Sequence, residues 1–107
     1  MTPTETSLFD APARTTGKFQ EEFEAFDAAN PDVWREFREM ALRLIKTGWK
    51  HYGAKSIIEA IRFHRDILKG EGEQWKINNN FTAYYARKFM DIYLEYEGFF
   101  ETRGIKN

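Results

Sequence analysis

The sequence predicts a mainly α-helical fold: a compact domain of four helices with a minimal two-stranded β element, similar in outline to a winged helix or helix-turn-helix unit. Four segments repeat apolar residues at spacings of three and four, which is the period of one helix face. Glycine, proline or asparagine stands between these segments, where helices begin and end. Two short segments on either side of the fourth helix carry the aromatic or alternating apolar residues typical of strands.

The first two helices are predicted from one apolar face each and from the signals between them. Phenylalanines at spacings of four and three give a first helix over residues 18–29. Asn30-Pro31-Asp32 then starts a second helix, because asparagine can cap, proline suits the first position and aspartate complements the positive helix end. That helix should end near Thr47, with Gly48 as a left-handed cap. The residues expected to face inward are Phe19, Phe23, Phe26, Val33, Trp34, Phe37, Met40, Ala41, Leu44 and Ile45.

Two further helices and two short strands complete the predicted domain. The third helix opens at Ala54 or Ser56 and stops at the glycines of residues 70–72. The fourth starts near Asn80 and runs to about Tyr93. Residues 75–78 and 99–103 are the predicted strands, each the natural partner of the other. The residues expected to face inward from these two helices are Ile57, Ile58, Ile61, Phe63, His64, Ile67, Leu68, Phe81, Tyr84, Tyr85, Phe89, Ile92 and Tyr93.

The chain of 107 residues is long enough for one domain. Its first 17 residues are polar and lack periodic apolar positions, so we expect a flexible N-terminal tail, a single helical domain over residues 18–103 and a C-terminal tail over residues 104–107. Cysteine is absent, which excludes disulfides and thiolate metal sites. No apolar run approaches the ~18 residues of a membrane span and no signal-peptide pattern is present, so we expect a cytoplasmic protein without membrane contact.

Charge is unevenly distributed along the chain although the formal net charge is only −1. Residues 18–48 carry seven acidic and five basic side chains, whereas residues 49–94 carry eight basic and five acidic ones. The balanced total argues against a general polyanion binder, and the basic second half indicates where a local nucleic-acid contact would lie. A solvated charged face accounts for this modest excess equally well.

A cluster of three asparagines at the start of the fourth helix is the most suggestive functional signal. Asparagine both donates and accepts hydrogen bonds, so these side chains could read base edges while nearby basic residues hold phosphates. In a helix-turn-helix arrangement the fourth helix would enter the major groove of double-stranded DNA, and the third helix would hold it in position. The two strands would form a wing. The candidate base readers are Asn78, Asn79, Asn80 and Thr82, and the candidate phosphate ligands are Lys76, Arg87 and Lys88.

The same residues have a purely structural interpretation. Asn80 can cap the fourth helix, Asn78 and Asn79 can shape the turn before it, and the basic residues can be solvated. A second, weaker basic patch combines the connector at residues 49–52 with the third helix, and it could contact unpaired bases. A solvated helix surface that includes Glu59 and Asp66 explains these basic residues more simply. The basic residues and histidines of that helix are Lys55, Arg62, His64, Arg65 and Lys69.

Aromatic residues make up 17% of the chain, which favours either of two uses. A small core can reach adequate burial with large rings, since each buries about 150–250 Å². Alternatively, some rings lie exposed and anchor a protein partner. The alternative to DNA binding is therefore a protein-interaction module that binds its partner through exposed aromatic residues; the resemblance given below implies a host or phage protein as that partner. A DNA-binding version of the domain would be expected to act as a homodimer, because one such helix offers few contacts.

Catalytic chemistry is not indicated by any motif in this sequence. The two histidines, His51 and His64, are thirteen residues apart and so lack the spacing of metal ligands on one helix. Ser7 and Ser56 have no evident base, and no glycine-rich phosphate loop follows a strand. We therefore predict a non-enzymatic protein with no metal and no cofactor.

Several short motifs resemble those of a set of small uncharacterised proteins from bacteriophages, prophages and bacterial mobile elements. The similarity covers most of residues 19–103, and it implies a bacterial or phage-infected cytoplasm as the setting. It implies no activity and no site residues. The motifs are Phe26-x-x-x-Asn30-Pro31-x-Val33, Gly53 with Arg62-Phe63, Lys76-Ile77-Asn78-Asn79-Asn80, Tyr85-Ala86-Arg87, and Gly98-Phe99-Phe100-Glu101-Thr102-Arg103.

Overall fold

The structure is a computed structural model that describes residues 13–71 and 76–101, with side chains from Phe19 onward. It consists of four α-helices followed by a single 3₁₀ turn at Leu94–Tyr96. The mainly α, four-helix prediction is confirmed. None of the described helices is long and apolar enough to cross a membrane. The helices are α1 (Ala13–Ala29), α2 (Pro31–Lys46), α3 (Ala54–Lys69) and α4 (Phe81–Ile92).

The junction between α1 and α2 differs from the prediction in two details. Helix α1 begins at Ala13, five residues before the expected start; the remainder of the predicted tail, residues 1–12, lies outside the described residues, as do residues 104–107. Asn30 makes no side-chain capping bond to α2. Its Nδ2 and its backbone N–H both donate to the carbonyl oxygen of Phe26, each at 2.9 Å, so Asn30 closes the end of α1. Pro31 begins α2, as predicted.

Gly48 ends α2 in the way the sequence predicts. Its φ of 106° lies in the left-handed region, which glycine adopts without a Cβ clash. The N–H of Gly48 donates to the carbonyl of Ile45, and the N–H of Trp49 donates to that of Leu44. These two bonds form a Schellman motif, which satisfies carbonyls at the helix end and turns the chain toward α3.

Helix α4 lies at the centre of the core, because it packs against α1, α2 and α3. The Tyr85 ring stacks on Phe37 and Trp34 of α2, with centroid distances of 5.5 and 6.5 Å, and meets Phe23 of α1 edge-on at 4.8 Å. Phe100 packs against Phe37 as well. Most of the aromatic residues therefore serve the core. The largest fully buried side chains are Tyr85, Phe37, Phe89, Ile58, Ile61 and Val33.

The predicted two-stranded β element is not found. We expected strands over residues 75–78 and 99–103. The described parts of both segments, residues 76–78 and 99–101, contain no strand, and the rest of each segment lies outside the described residues.

Burial and backbone hydrogen bonding explain why these segments are not strands. Phe99 and Phe100 are both buried, whereas neighbouring residues of a strand point to opposite faces. The carbonyl oxygen of Phe99 accepts a hydrogen bond from the N–H of Tyr52 at 3.1 Å. The carbonyl oxygen of Ile77 accepts one from the guanidinium of Arg62 at 3.0 Å. Both carbonyls thus bond to loop or side-chain donors, and the aromatic pair fills the core.

Five residues expected to face inward lie on the surface: Phe63, His64, Ile67, Leu68 and Ile92. The exposed fractions of the four apolar residues range from 54 to 68%. Helix α3 packs mainly against α2 and α4, so only one side of it is covered. The apolar pattern of α3 extends further round the helix than the core does.

Candidate functional site

The asparagine cluster builds the turn that leads into α4. The side-chain Oδ1 of Asn78 accepts a hydrogen bond from the backbone N–H of Asn80 at 2.8 Å. The carbonyl oxygen of Asn78 also accepts from the N–H of Phe81 at 2.9 Å. Asn78 therefore shapes an Asx-type turn. Asn80 occupies the N-cap position but makes no side-chain capping bond, and it remains exposed.

Arg62 fastens this turn to α3. Its guanidinium donates to the carbonyl oxygen of Ile77 at 3.0 Å and to the side-chain oxygen of Asn79 at 2.5 Å. It also pairs with Glu59, one turn earlier on α3, at 2.9 Å. The side-chain oxygen of Asn79 and the guanidinium of Arg62 are therefore bonded to each other within the fold.

The two adjacent basic residues of α4 have different surroundings. Lys88 forms an ion pair with Asp27 of α1, and its ammonium lies 4.5 Å from the centroid of the Trp34 ring of α2. The side chains of Lys88 and Asp27 are 29% and 17% exposed. Arg87 is exposed and makes no ion pair with any described residue. Of these two predicted phosphate ligands, Arg87 is exposed to solvent, whereas Lys88 is half-buried and paired with Asp27.

The seven predicted site residues differ in burial and in contacts. Thr82 and Lys88 are half-buried, and the other five are exposed: Lys76, Asn78, Asn79, Asn80 and Arg87. Lys88 contacts Asp27 of α1 and Trp34 of α2, and the side-chain oxygen of Asn79 accepts from Arg62 of α3.

The exposed part of α4 is narrow. Of its twelve residues, Arg87, Asp91 and Ile92 are exposed, and the others are buried or half-buried. A recognition helix needs an open face that can lie in a groove about 12 Å wide. Helix α4, which the sequence predicts as the DNA-recognition helix, packs against all three other helices of the domain.

Helix α3 has the opposite character, because it presents two apolar faces. One face packs in the core and is formed by Ala54, Ile57, Ile58 and Ile61. The other is exposed and is formed by Ala60, Phe63 and Ile67, a surface that we call the outer face of α3. Its two large side chains are 67 and 64% exposed, in chain order. Large apolar side chains grouped in this way mark interaction sites more often than scattered ones do. Leu68 is also 68% exposed, but it lies seven residues after the buried Ile61 and therefore on the same side of the helix as the core residues.

Helical geometry gives the signal that could have found this face in the sequence. Each residue advances about 100° round a helix. Phe63 follows Ile61 by two residues, so it lies about 160° away on the circumference. Ile67 lies nine residues after Ile58, about 180° away. One core cannot cover two opposite faces of a helix unless the helix is central, and the prediction assigned both faces to the core.

A groove between α2 and α3 borders the outer face. Its volume is about 310 Å³, and its walls include Met40 and Leu44 of α2 and Ile57 and Ala60 of α3. Ala60 belongs to both the groove and the outer face. The apolar surface therefore continues from the outer face into a concave site.

Ion pairs hold the other end of the α2–α3 pair. Arg65 contacts Asp32 and Glu36, each at 3.0 Å, and Nδ1 of His64 lies 2.7 Å from Glu36. Burial acts to lower the pKa of Arg65, but its hydrogen bond with Glu36 and the charges of Asp32 and Glu36 raise it above the usual value. The Arg65 guanidinium therefore stays charged and serves the packing of the two helices. Of the second predicted basic patch, His64 and Arg65 are engaged by these partners in α2.

Within the described part of the chain, no group of three or more histidine or acidic side chains could hold a metal ion. No protein-family model, no curated protein and no solved structure matches this chain.

Proposed function

We propose that the protein is a protein-interaction module whose partner docks on the outer face of α3. One observation supports this most strongly: Phe63 and Ile67 are each about two thirds exposed, one turn apart, on the side of α3 that lies opposite the core residues. A few anchor side chains that become fully buried supply most of the binding energy in protein interfaces.

Apolar burial on this face contributes part of the binding free energy. Fully burying an isoleucine or phenylalanine side chain is worth about 1.5–3 kcal/mol. A partner that covers the exposed two thirds of Phe63 and Ile67 therefore gains about 2–4 kcal/mol from these two side chains, before the costs of association. The adjoining groove between α2 and α3 gives a partner side chain a concave place to insert, which flat surfaces lack.

Surface variants with a matched control test this function. Phe63→Asp/Ile67→Asp places two carboxylates on the outer face of α3, whereas Ala25→Asp/Ala28→Asp places two on exposed positions of α1. Each tagged protein is cross-linked in a lysate of the cells that naturally make it, and the captured proteins are identified by mass spectrometry. The wild type and the α1 variant should capture the same partner, and the α3 variant should lose it by at least about tenfold, the factor that corresponds to 1.4 kcal/mol.

Equal capture by all three proteins would refute the proposal. Circular dichroism spectra and urea midpoints of both variants are measured alongside, so that an unfolded variant is not mistaken for a loss of binding. Gel filtration with light scattering shows whether the captured partner is a second copy of the chain.

DNA binding by a helix-turn-helix-like unit stays a prediction. The predicted site residues that favour it by remaining exposed are Lys76, Asn78, Asn79, Asn80 and Arg87. Fluorescence anisotropy with mixed double-stranded DNA at low and moderate salt tests it, because phosphate contacts weaken steeply with salt. Arg87→Ala should then weaken binding to all sequences alike. Absence of binding at low salt would remove DNA as the ligand, and binding that Arg87→Ala leaves unchanged would show that DNA contacts another surface.

A further inference from the structure

A second pocket lies between the α2–α3 connector and the segment that follows α4. Its volume is about 270 Å³. Hydrogen bonds join its two sides: the Tyr52 N–H donates to the Phe99 carbonyl at 3.1 Å, and Nδ1 of His51 lies 3.3 Å from the Gly98 carbonyl. We call it the Trp49 pocket, and the lining residues that matter here are Trp49, Lys50, Glu95, Tyr96, Glu97 and Phe99.

Aromatic rings form much of this pocket. Trp49 is 53% exposed, and its indole meets the Tyr52 ring edge-on at 5.1 Å. Tyr96 stacks on the buried Phe89 ring at 6.2 Å, which holds it in place. Phe99 is buried beside them. The faces of tryptophan and tyrosine attract cations through the ring quadrupole, and tryptophan does so most strongly.

The charges beside the rings have the complementary sign. Glu95 and Glu97 are exposed, and neither forms an ion pair with another described residue. Lys50 lines the same pocket, so the local formal charge is one negative unit. The exposed Trp49 indole, the half-buried Tyr96 ring and two carboxylates without an ion pair to a described residue favour a cationic ligand over an anionic or neutral one.

We infer that the Trp49 pocket binds an organic cation, a guanidinium or alkylammonium group. The volume is slightly below the roughly 300–1,000 Å³ of pockets for drug-sized ligands, which suits a single side-chain-sized group. Such a group comes either from an arginine or lysine of a partner protein or from a free polyamine. The pocket shares no lining residue with the outer face of α3, so the two proposals stand or fall separately.

Nuclear magnetic resonance of the ¹⁵N-labelled full chain provides the test. The probes are acetyl-Gly-Arg-Gly-amide for a peptide cation, spermidine for a free polyamine, and acetyl-Gly-Glu-Gly-amide as the anionic control. A cation should shift the Trp49 indole N–H and the Gly48 and Gly98 amides saturably, with a dissociation constant of about 1 mM, and leave the Trp34 indole, which Lys88 covers, unchanged. The cation that binds more tightly identifies the source.

The charge variants should change the dissociation constant in opposite directions. Glu95→Gln/Glu97→Gln should raise the dissociation constant about fivefold, as expected for the loss of two exposed charge contacts. Lys50→Gln should lower it, because the competing positive charge is removed. Absence of saturation with both cations, equal affinity for the glutamate peptide, or the same constant in all variants would overturn the inference. The dispersed spectrum of each variant reports directly that it is folded.

Discussion

Helices α3 and α4 differ in how much of their circumference the fold uses. Helix α4 packs against all three other helices, so Lys88 finds a partner inside the domain and Arg87 lies in a narrow exposed strip. Helix α3 packs mainly against α2 and α4, and its second apolar face is left in water. The residue type alone does not determine whether a side chain packs in the core or is exposed to solvent. That depends on whether its helix is central or peripheral in the fold.

The largest expected effect compares one substitution in the two helices. Phe89→Ala removes a ring that is fully buried in α4 and should lower the free energy of unfolding by about 3–5 kcal/mol. Phe63→Ala removes a ring that is 67% exposed on α3 and should change it by less than about 0.5 kcal/mol. Urea denaturation followed by circular dichroism measures both. Similar losses in the two variants would mean that the outer face of α3 belongs to the core.

Adjacent basic residues of α4 provide the next comparison. Lys88→Ala removes an ion pair to Asp27 and a cation–π contact with Trp34, which should cost about 2 kcal/mol of stability. Arg87→Ala removes a solvated side chain and should cost less than about 0.5 kcal/mol. The same urea titration applies. If Lys88→Ala leaves stability unchanged, the contacts with α1 and α2 contribute nothing and Lys88 is free to bind a ligand.

Asn79 and Asn80 are neighbours, but only the side chain of Asn79 accepts a hydrogen bond from Arg62. Asn79→Ala removes an acceptor of the Arg62 guanidinium and should lower the free energy of unfolding by about 1 kcal/mol. Asn80→Ala removes an exposed amide that makes no capping bond and should have an effect below about 0.5 kcal/mol. Hydrogen exchange of the amides of residues 76–80 is the sharper measurement: Asn79→Ala should speed it, and Asn80→Ala should not. Equal exchange in both variants would contradict the anchoring by Arg62.

The smallest expected change is a gain of stability within α4. The hydroxyl of Tyr85 is buried with no hydrogen-bond partner among the described residues, and burial raises the pKa of this phenol far above its usual value. Tyr85→Phe removes an unsatisfied polar group and should raise the free energy of unfolding by up to about 1 kcal/mol. Thermal denaturation at neutral pH measures the change. A clear loss of stability would show that the hydroxyl has a partner.

Local signals in the sequence predict the helices well. Apolar periodicity places α2, α3 and α4 close to their observed bounds, and Gly48 marks the end of α2 because a left-handed cap is a property of a few adjacent residues. Contacts between distant residues are not predicted. The bond from Arg62 to Asn79 spans seventeen positions, and nothing local to either residue indicates it.

The absence of strands in the described residues and the surroundings of Lys88 could not be predicted for the same reason, because both depend on residues that are distant in the sequence. Phe99 and Phe100 suit a strand by composition, but both are drawn into a core that other elements create. Lys88 suits a phosphate ligand by charge, but Asp27 lies beside it in the fold. The outer face of α3 could have been found by noticing that its apolar residues lie on two opposite sides of one helix.

Photo-cross-linking from both helices in one experiment tests the central claim most directly. The photoreactive residue p-benzoylphenylalanine is placed at position 63 in one variant and at position 87 in another, and both are irradiated in a lysate of the cells that naturally make the protein. We expect a protein adduct from position 63 and none from position 87. Nuclease-sensitive adducts from position 87, with none from position 63, would contradict this expectation and make α4 the working surface.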